Sequence, residues 1–235
     1  FAITNSTYIF GNTLEQHFNY GGVTANNAAI RCGWINGGGS IRASTLFQKS
    51  ITSLSDSAQI LYAEIVLWDT LRNIAQADTE GYFSVHRLLS DWVEGTAAGT
   101  FELGSSTWNS QGYGTGVNGS TIAEADSGWT TAGGDFDPVW NETFVALTNS
   151  DPVQNTGVHF DITEFAKIWH ADSTTNFGVA IRENRQAAPT KVVSQYWHSE
   201  GSTFANRKPS IIIYWTEPDV HFVTSDIYEP PRGGA

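Results

Sequence analysis

Short apolar runs, separated by glycine-rich and polar segments, recur along the chain. Ile60 to Trp68 is apolar on both alternating faces except at Glu64, which predicts a central β-strand. Phe177 to Ile181 and Ile211 to Trp215 are shorter runs bounded by turn residues, and they predict further strands. Strands at regular spacing predict two packed antiparallel sheets, so the expected fold is all-β, a single antiparallel β-sandwich of jelly-roll type.

One segment departs from this pattern. Phe165, Ile168 and Trp169 stand at positions i, i+3 and i+4, which places them on one face of a helix. The pattern predicts one short helix from Thr163 to Ala171, with Thr163 as its N-cap.

Four of the nine tryptophans fall in periodic apolar runs and are predicted to lie in the core. Phe160 and Ile162 are expected to face the core near them. The four tryptophans are Trp68, Trp92, Trp169 and Trp215.

Composition limits the possible partners. The chain has 235 residues, 40% of them hydrophobic, which is enough for one sizeable core in a single domain. With 12 Lys and Arg against 24 Asp and Glu, the net charge is -12, which argues against nucleic acids and anionic membrane surfaces as partners. No run approaches the ~18 apolar residues that a membrane-spanning helix needs.

Residue usage indicates a secreted protein. Cys32 is the only cysteine, so no disulfide can form within the chain. The chain starts at Phe1 and contains no methionine, which we interpret as a mature extracellular or cell-surface product whose leader peptide has been removed; a trimmed chain is the alternative. Three sequons would suit a glycosylated surface, and their acceptors are Asn5, Asn118 and Asn141.

Sequence motifs for catalysis are missing. The G-x-G-x-x-G match at Gly114 to Gly119 lacks the following helix signal that a nucleotide site needs. The histidines show no zinc-site spacing, and no G-x-S-x-G nucleophile elbow occurs. We therefore predict that the protein is not an enzyme, with a polysaccharide lyase or hydrolase as the least favoured alternative.

Acidic residues in loops are the candidates for a metal site. Carboxylate oxygens are ligands that Ca²⁺ prefers, and two acidic loop pairs could supply them, although neither matches the EF-hand pattern. A solvated acidic turn is the alternative. The candidate calcium ligands are Asp78 with Glu80, and Asp135 with Asp137.

The tryptophans near loops or strand ends are candidates to bind carbohydrate. An indole offers a wide aromatic face that stacks on the C–H surface of a sugar. Packing inside the fold is the alternative for each of them. The candidates are Trp34, Trp108, Trp129, Trp140 and Trp197.

Several segments follow one another in an order that is typical of one family. The C-terminal part, Phe160 to Trp215, combines an apolar run, a one-turn amphipathic segment, an S-E pair and an apolar final strand. Upstream lie TYIFGN at residues 7–12, a W-V-E segment ending at Glu94 and a G-G-D piece ending at Asp135. From Thr7 to Trp215 the chain resembles the DNRLRE (disaggregatase-related) domains, secreted β-sandwiches similar to some alginate-type carbohydrate-binding modules. The resemblance implies a domain without catalytic apparatus.

The two ends of the chain are strand-like. The resembling domain is expected to span residues 1–216, with residues 217–235 as an extension. A strand outside a complete sandwich must pair with its own sheet edge or with a neighbour's. We therefore predict a structural subunit of an extracellular filament or surface assembly that binds copies of itself; the alternative is a carbohydrate-binding module for an acidic polysaccharide. The residues assigned to assembly are Ile3, Tyr8, Phe10, Val220, Phe222 and Tyr228.

Overall fold

The computed structural model describes the chain in separate stretches. Eleven strands, one α-helix and two 3₁₀ turns lie in them. The described residues are 5–12, 18–19, 29–34, 41–48, 50–74, 80–94, 106, 129–130, 133–138, 144–148, 156–183, 193–198 and 204–218.

Most of the elements are short strands, and the longest of them, β5, has 16 residues. The strands are β1 (Asn5–Asn12), β2 (Phe18–Asn19), β3 (Ala29–Trp34), β4 (Ile41–Gln48), β5 (Gln59–Ile74), β6 (Glu80–Arg87), β7 (Phe144–Thr148), β8 (Gly157–Asp161), β9 (Val179–Glu183), β10 (Val193–His198) and β11 (Ser210–Thr216). The helix α1 covers Thr163–Ala171, as its 3.6-residue period predicts, and the 3₁₀ turns cover Ser173–Thr175 and Ala205–Arg207. No helix within the described stretches is long and apolar enough to cross a membrane.

The first sheet contains the antiparallel strands β11, β5 and β8, in that order. Ile65 of β5 lies between Ile211 of β11 and Phe160 of β8. Because alternate residues of a strand point to opposite faces, these three side chains share the inner face, and all three are buried.

The second sheet begins where the first one ends, because β5 belongs to both. The C-terminal part of β5 pairs with β10, and from there the order is β5-β10-β3-β4-β9-β6-β7. Every pairing in it is antiparallel, including those of β1 with β4 and β2. The predicted all-β class, with antiparallel sheets and one short helix, is therefore confirmed.

The inner faces of both sheets contribute to one buried cluster. Trp197 of β10 packs edge-on against Phe83 of β6 and Phe160 of β8, each with ring centroids 6.2 Å apart. α1 contributes Trp169, which is 1% exposed, and Ile162, the residue directly before the helix, is also buried. The predicted burial of Trp169, Phe160 and Ile162 is thus confirmed.

The first side chain of α1 does not cap the helix but forms a hydrogen bond with β5. Thr163 is the first helical residue and Ile162 occupies the N-cap, so the prediction of Thr163 as N-cap is wrong by one residue. The hydroxyl of Thr163 accepts a hydrogen bond from the amide of Ala63 at 3.0 Å and donates one to Asp161 Oδ1 at 2.6 Å. The same side chain therefore ties the helix to the central strand of the first sheet.

Two of the four tryptophans predicted for the core are less buried than expected. Trp92 and Trp169 are buried, whereas Trp68 is half-buried and Trp215 is 46% exposed. Trp215 is the second-last residue of a strand that β5 alone flanks among the described strands. At such a position, neighbours cover only part of so large a ring, which corrects the prediction for Trp215.

The N-terminal segment pairs within its own chain. β1 lies antiparallel to β4 along all eight of its residues, with Tyr8 opposite Thr45 and Phe10 opposite Ala43. The segment therefore pairs with its own sheet, and the assembly role assigned to Tyr8 and Phe10 stays a prediction. The other residues assigned to assembly lie outside the described residues: Ile3, Val220, Phe222 and Tyr228.

Candidate binding face on the first sheet

The outer face of the first sheet exposes alternate residues of its strands. On β5, Ala63 and Ile65 are buried on the inner face, whereas Tyr62 is exposed and Glu64 is half-buried on the outer one. The ladder places Tyr214 of β11 directly opposite Tyr62. The apolar run of β5 thus forms the central strand that its sequence predicts, but one of its faces is open to solvent for part of its length.

Exposed apolar side chains lie together where β11 and β5 pair. The rings of Tyr62 and Tyr214 have centroids 6.1 Å apart and are inclined by 37°. The register shifts beside this pair, so that Leu61 has no partner in the β11 ladder and is 63% exposed. The large apolar residues that are exposed on the two strands, which we call the aromatic patch, are Leu61, Tyr62, Ile212, Tyr214 and Trp215. Tyr62, Ile212 and Tyr214 share the outer face, whereas Trp215, at the end of β11, stands opposite the buried Ile60.

A short polar network adjoins the aromatic patch. The hydroxyl of Tyr62 donates a hydrogen bond to Glu64 Oε2 at 2.9 Å, and Nδ1 of His159 lies 3.1 Å from Glu64 Oε1. Asp161 of β8 stands opposite Glu64 in the ladder. Partial burial, followed by the hydrogen bond to Glu64, raises the pKa of Tyr62 to about 12. Tyr62 is therefore a neutral hydrogen-bond donor at physiological pH.

This combination determines what the surface can bind. Two aromatic rings and neighbouring aliphatic side chains favour apolar contacts with a partner. The carboxylates of Glu64 and Asp161 add negative charge beside them, which repels an anionic partner and tolerates a neutral one. Among the described residues, no group of three or more His, Cys, Asp or Glu side chains is arranged to hold a metal ion.

The tryptophans predicted to bind carbohydrate are not part of this surface. Trp197 is fully buried and donates its indole N–H to Cys32 Sγ at 3.3 Å. Trp129 is also buried, in a second cluster with Trp92 and Leu88. Neither offers an exposed ring face to a sugar, which corrects the prediction for these two residues.

Two of the four candidate calcium ligands serve as loop anchors. Asp135 accepts hydrogen bonds from the hydroxyls of Ser90 at 3.1 Å and Thr130 at 2.6 Å. Asp137 forms an ion pair with Arg87, with 3.2 Å between Oδ2 and Nη2. The contacts with Ser90 and Arg87 hold Asp135 and Asp137 beside the end of β6, and calcium binding stays a prediction.

The remaining candidates have no described side chain. Three of them lie in strands of which the backbone is described: Asn5 begins β1, Trp34 ends β3 and Glu80 begins β6. Their predicted roles, like those of the candidates beyond the described residues, stay predictions. Outside the described residues lie Asp78, Trp108, Asn118, Trp140 and Asn141.

Sequence reasoning missed Tyr62 and Tyr214 as candidate binding residues. Both lie in apolar runs for which the sequence pattern predicts strands but does not predict which face is exposed. The available signal was Glu64, two positions after Tyr62, because a carboxylate inside an apolar run marks the face that meets water.

A buried polar pair lies on the other face of the second sheet. The hydroxyl of Ser84 and Nε2 of His86 are 2.8 Å apart, and both residues are buried. The guanidinium of Arg182 lies 4.0 Å from the ring centroid of Phe136 in the same region. A serine next to a histidine could suggest nucleophilic chemistry, but Ser84 is fully buried, so a substrate has no access to its hydroxyl in this structure.

Comparisons with known proteins leave the family open. No protein-family model matches the chain, and no curated protein matches it significantly. The resemblance to DNRLRE domains therefore stays a prediction that rests on the order of the sequence segments.

Proposed function

We propose that the protein is a non-enzymatic structural subunit of an extracellular filament or surface assembly, and that its copies associate through the aromatic patch. One observation carries the proposal: five large apolar side chains are exposed on two neighbouring strands. Soluble monomers rarely expose contiguous apolar patches larger than a few hundred Å², and such patches usually mark an interaction site.

The energetic gain from covering the patch is substantial. Fully burying one large apolar side chain contributes roughly 1.5–3 kcal/mol. Tyrosine and tryptophan are also the residue types that dominate protein interfaces, because a rigid ring brings large contact area at low entropic cost. Tyr214, at 58% exposure, and Trp215 have the most such surface left to bury.

Self-association of the full chain tests this proposal. We expect analytical ultracentrifugation and electron microscopy to show higher-order assemblies that grow with protein concentration. Replacing both Tyr62→Ser and Tyr214→Ser should abolish them while the far-UV circular dichroism spectrum is retained. A matched control, Leu89→Ser with Val93→Ser, removes two exposed apolar side chains outside the patch and should assemble like the parent.

Two outcomes would contradict the structural-subunit proposal. The first is a parent protein that stays monomeric at high concentration. The second is a tyrosine double variant that assembles as well as the control, since the contact would then lie elsewhere.

A second candidate function is polysaccharide binding, which the tyrosine pair favours. Two exposed phenol rings next to a carboxylate and an imidazole can combine stacking on a sugar with hydrogen bonds to its hydroxyls. The carboxylates of Glu64 and Asp161 disfavour the acidic polysaccharide that the sequence resemblance implies, and a neutral one fits better.

Affinity electrophoresis distinguishes the two candidates. If the patch binds a neutral polysaccharide, the parent should migrate more slowly in a gel that contains a neutral β-glucan than in a gel without it. The Tyr214→Ala variant should migrate equally fast in both gels. Unchanged migration of the parent in gels with neutral and acidic polysaccharides would remove this second candidate. If the protein assembles and no polysaccharide slows its migration, the structural role is the function that remains for the patch.

The absence of catalysis and the extracellular location belong to the same proposal. The sequence supports the first through its lack of nucleophile and metal motifs, and the second through the resemblance to secreted domains. Release of new reducing or unsaturated ends from alginate, pectin, chitin or cellulose by the purified protein would contradict the first. Recovery of the native protein from cells, and none from the medium or cell surface, would contradict the second.

A further inference from the structure

A polar cleft lies between the C-terminal end of α1 and the turn that precedes β5. Its volume is about 750 Å³, which falls within the range of roughly 300–1,000 Å³ that is typical of ligand sites. The residues that line it differ from those of the aromatic patch, so the two surfaces are separate. The polar side chains that line the cleft are Asp56, Gln59, Lys167, His170, Asp172 and Ser173.

The imidazole of His170 is held in one orientation in this cleft. Its Nε2 lies 3.0 Å from the carbonyl oxygen of Ala58, which also lines the cleft. Because a carbonyl oxygen can only accept a hydrogen bond, Nε2 carries the proton, and Nδ1 of the neutral ring is an acceptor. The ring therefore has a fixed position and can accept a hydrogen bond from a ligand hydroxyl through Nδ1.

Asp172, at the C-cap of α1, supplies a carboxylate that is used through one oxygen. Its Oδ1 accepts hydrogen bonds from the hydroxyl of Thr174 at 2.6 Å and from the amide of Thr174 at 3.0 Å. These two bonds lower the pKa of Asp172, so the carboxylate is ionised at neutral pH. Since both bonds go to Oδ1, Oδ2 keeps its capacity to accept a hydrogen bond from a ligand.

The charges around the cleft favour a cation. Asp56 brings a second carboxylate, and the last carbonyl groups of α1 add partial negative charge. The positive charge of Lys167 is balanced by Glu164, whose Oε1 lies 2.6 Å from Nζ. Gln59 and Ser173 are exposed and uncharged, and each can both donate and accept a hydrogen bond. The cleft thus combines negative charge with neutral groups that suit hydroxyls.

We propose that this cleft binds a short segment of an amino-sugar polymer. The protonated amine of the sugar pairs with the carboxylates of Asp56 and Asp172, and its hydroxyls form hydrogen bonds with His170 and Gln59. A ligand of this class uses both kinds of group that line the cleft. Because the site lies apart from the aromatic patch, the inference goes beyond the proposed function.

Other ligand classes match fewer of these groups. A metal ion needs several converging ligands, and in the described part of the chain no three His, Cys, Asp or Glu side chains are arranged to hold one. A protonated polyamine carries donors only, so it gives no acceptor to the amide of Gln59 or the hydroxyl of Ser173. A neutral sugar lacks the positive charge that the two carboxylates attract.

Isothermal titration calorimetry of the full chain at neutral pH tests the ligand class. The probes are a β-1,4-linked glucosamine trimer, its N-acetylated form, the corresponding glucose trimer and spermidine. We expect the glucosamine trimer to bind, and each of the other probes to bind about tenfold more weakly or not at all, because each lacks the amine charge or the hydroxyls.

Carboxamide substitutions test the location of the site. Asp56→Asn combined with Asp172→Asn should weaken binding of the glucosamine trimer about tenfold or more, because both charges are removed. The new carboxamide at position 172 keeps an oxygen acceptor for Thr174, so the circular dichroism spectrum should be retained. Asp91→Asn is the matched control, since Asp91 is also exposed and its Oδ1 accepts a hydrogen bond from the amide of Trp92 at 2.9 Å. The control should bind like the parent.

The outcomes separate this inference from the proposed function. Tyr62→Ser with Tyr214→Ser should bind the glucosamine trimer like the parent, and loss of binding in that variant would place the sugar at the aromatic patch and overturn the inference. A parent that does not bind the trimer, another probe that binds equally well, or an aspartate double variant with unchanged affinity would also overturn it. A parent that binds the trimer but stays monomeric contradicts the structural-subunit proposal and supports this inference.

Discussion

The outer faces of the two sheets differ in what covers them. On the first sheet, Tyr62 and Tyr214 are exposed, and no described element lies over them. On the second sheet, the face of β6 and β9 that points away from the main core is covered by a second apolar cluster from the chain itself. The members of that cluster are Leu46, Leu88, Trp92, Trp129 and Ala180, with Phe136 and Phe177 packed against it.

Directional contacts hold this cover in place. The indole N–H of Trp92 donates to the carbonyl of Phe177 at 2.9 Å. Leu88 forms a β-bridge with Phe136, and the Arg87–Asp137 ion pair lies next to it. The two outer faces therefore differ: the second sheet buries Leu46 and Ala180 under this cluster, whereas Tyr62 and Tyr214 of the first sheet are exposed among the described residues.

Replacing large rings by alanine should give the largest difference in the free energy of unfolding between the covered and the exposed region. Trp169→Ala in the main core and Trp92→Ala in the cover should each lower the free energy of unfolding by about 3–5 kcal/mol, through lost burial and the resulting cavity. Trp215→Ala should change it by less than about 0.5 kcal/mol, because its ring is already half in water.

Urea denaturation under conditions that keep the protein monomeric measures these differences. If Trp215→Ala is as costly as Trp92→Ala, the aromatic patch is part of the folded core and the contrast between the faces is wrong.

Two glycines sharpen the comparison at the level of the backbone. Gly178, beside the covered face, has φ of +90°, and a Cβ there would overlap the carbonyl oxygen of Phe47. Gly157 lies in β8, where a Cβ would meet His159 and Val66 at ordinary contact distances of 3.5 and 3.6 Å. Gly178→Ala should therefore destabilise the protein by about 3 kcal/mol, and Gly157→Ala should stabilise it by roughly 0.5 kcal/mol.

Thermal unfolding of the two alanine variants gives the measurement. Equal melting temperatures for both would mean that the chain relaxes around Gly178, and that the covered side is less tightly packed than its contacts indicate.

Sequence patterns predicted the local elements well. The helix period places α1 at its observed bounds, and the apolar runs at Ile60 to Trp68 and Ile211 to Trp215 fall within β5 and β11. These features depend on residues that are neighbours in sequence, so a periodicity of 3.6 or 2 is sufficient to find them. The predicted strand from Phe177 starts two residues late, at Val179, because Gly178 adopts a positive φ.

Burial was harder to predict because it depends on distant segments. Trp197 lies in the polar sequence SQYWH, which favours a position near a loop or strand end, yet it is fully buried and packs edge-on against Phe83 and Phe160. Trp215 lies in an apolar run and is exposed, because few neighbours flank the end of β11. Periodicity shows that a strand has two faces, but it does not show which of them another segment will cover.

The smallest predicted effect concerns His198, on the second sheet. His198 ends β10 and is buried, with Phe204 packed edge-on at 5.7 Å between ring centroids. The guanidinium of Arg207 lies 4.7 Å from the centroid of the same phenylalanine ring. Burial first, and the positive charge of Arg207 second, lower the pKa of His198, while Asp69 opposes them.

The sign of the pH effect follows from linkage. In the unfolded chain a histidine binds its proton with a pKa of about 6.5. Because the pKa in the folded state is lower, the unfolded state holds more protons between the two values, and acidification favours unfolding. The contribution of His198 to stability is complete above pH 6.5 or so and is lost as the pH falls toward the folded-state pKa. We therefore expect the melting temperature to fall between about pH 7.5 and pH 5.5, and to fall less in His198→Gln. Arg207→Gln should also reduce the fall, since it removes the charge that opposes protonation. If both variants follow the pH dependence of the parent, the imidazole of His198 is accessible to water in the folded state and its burial does not lower its pKa.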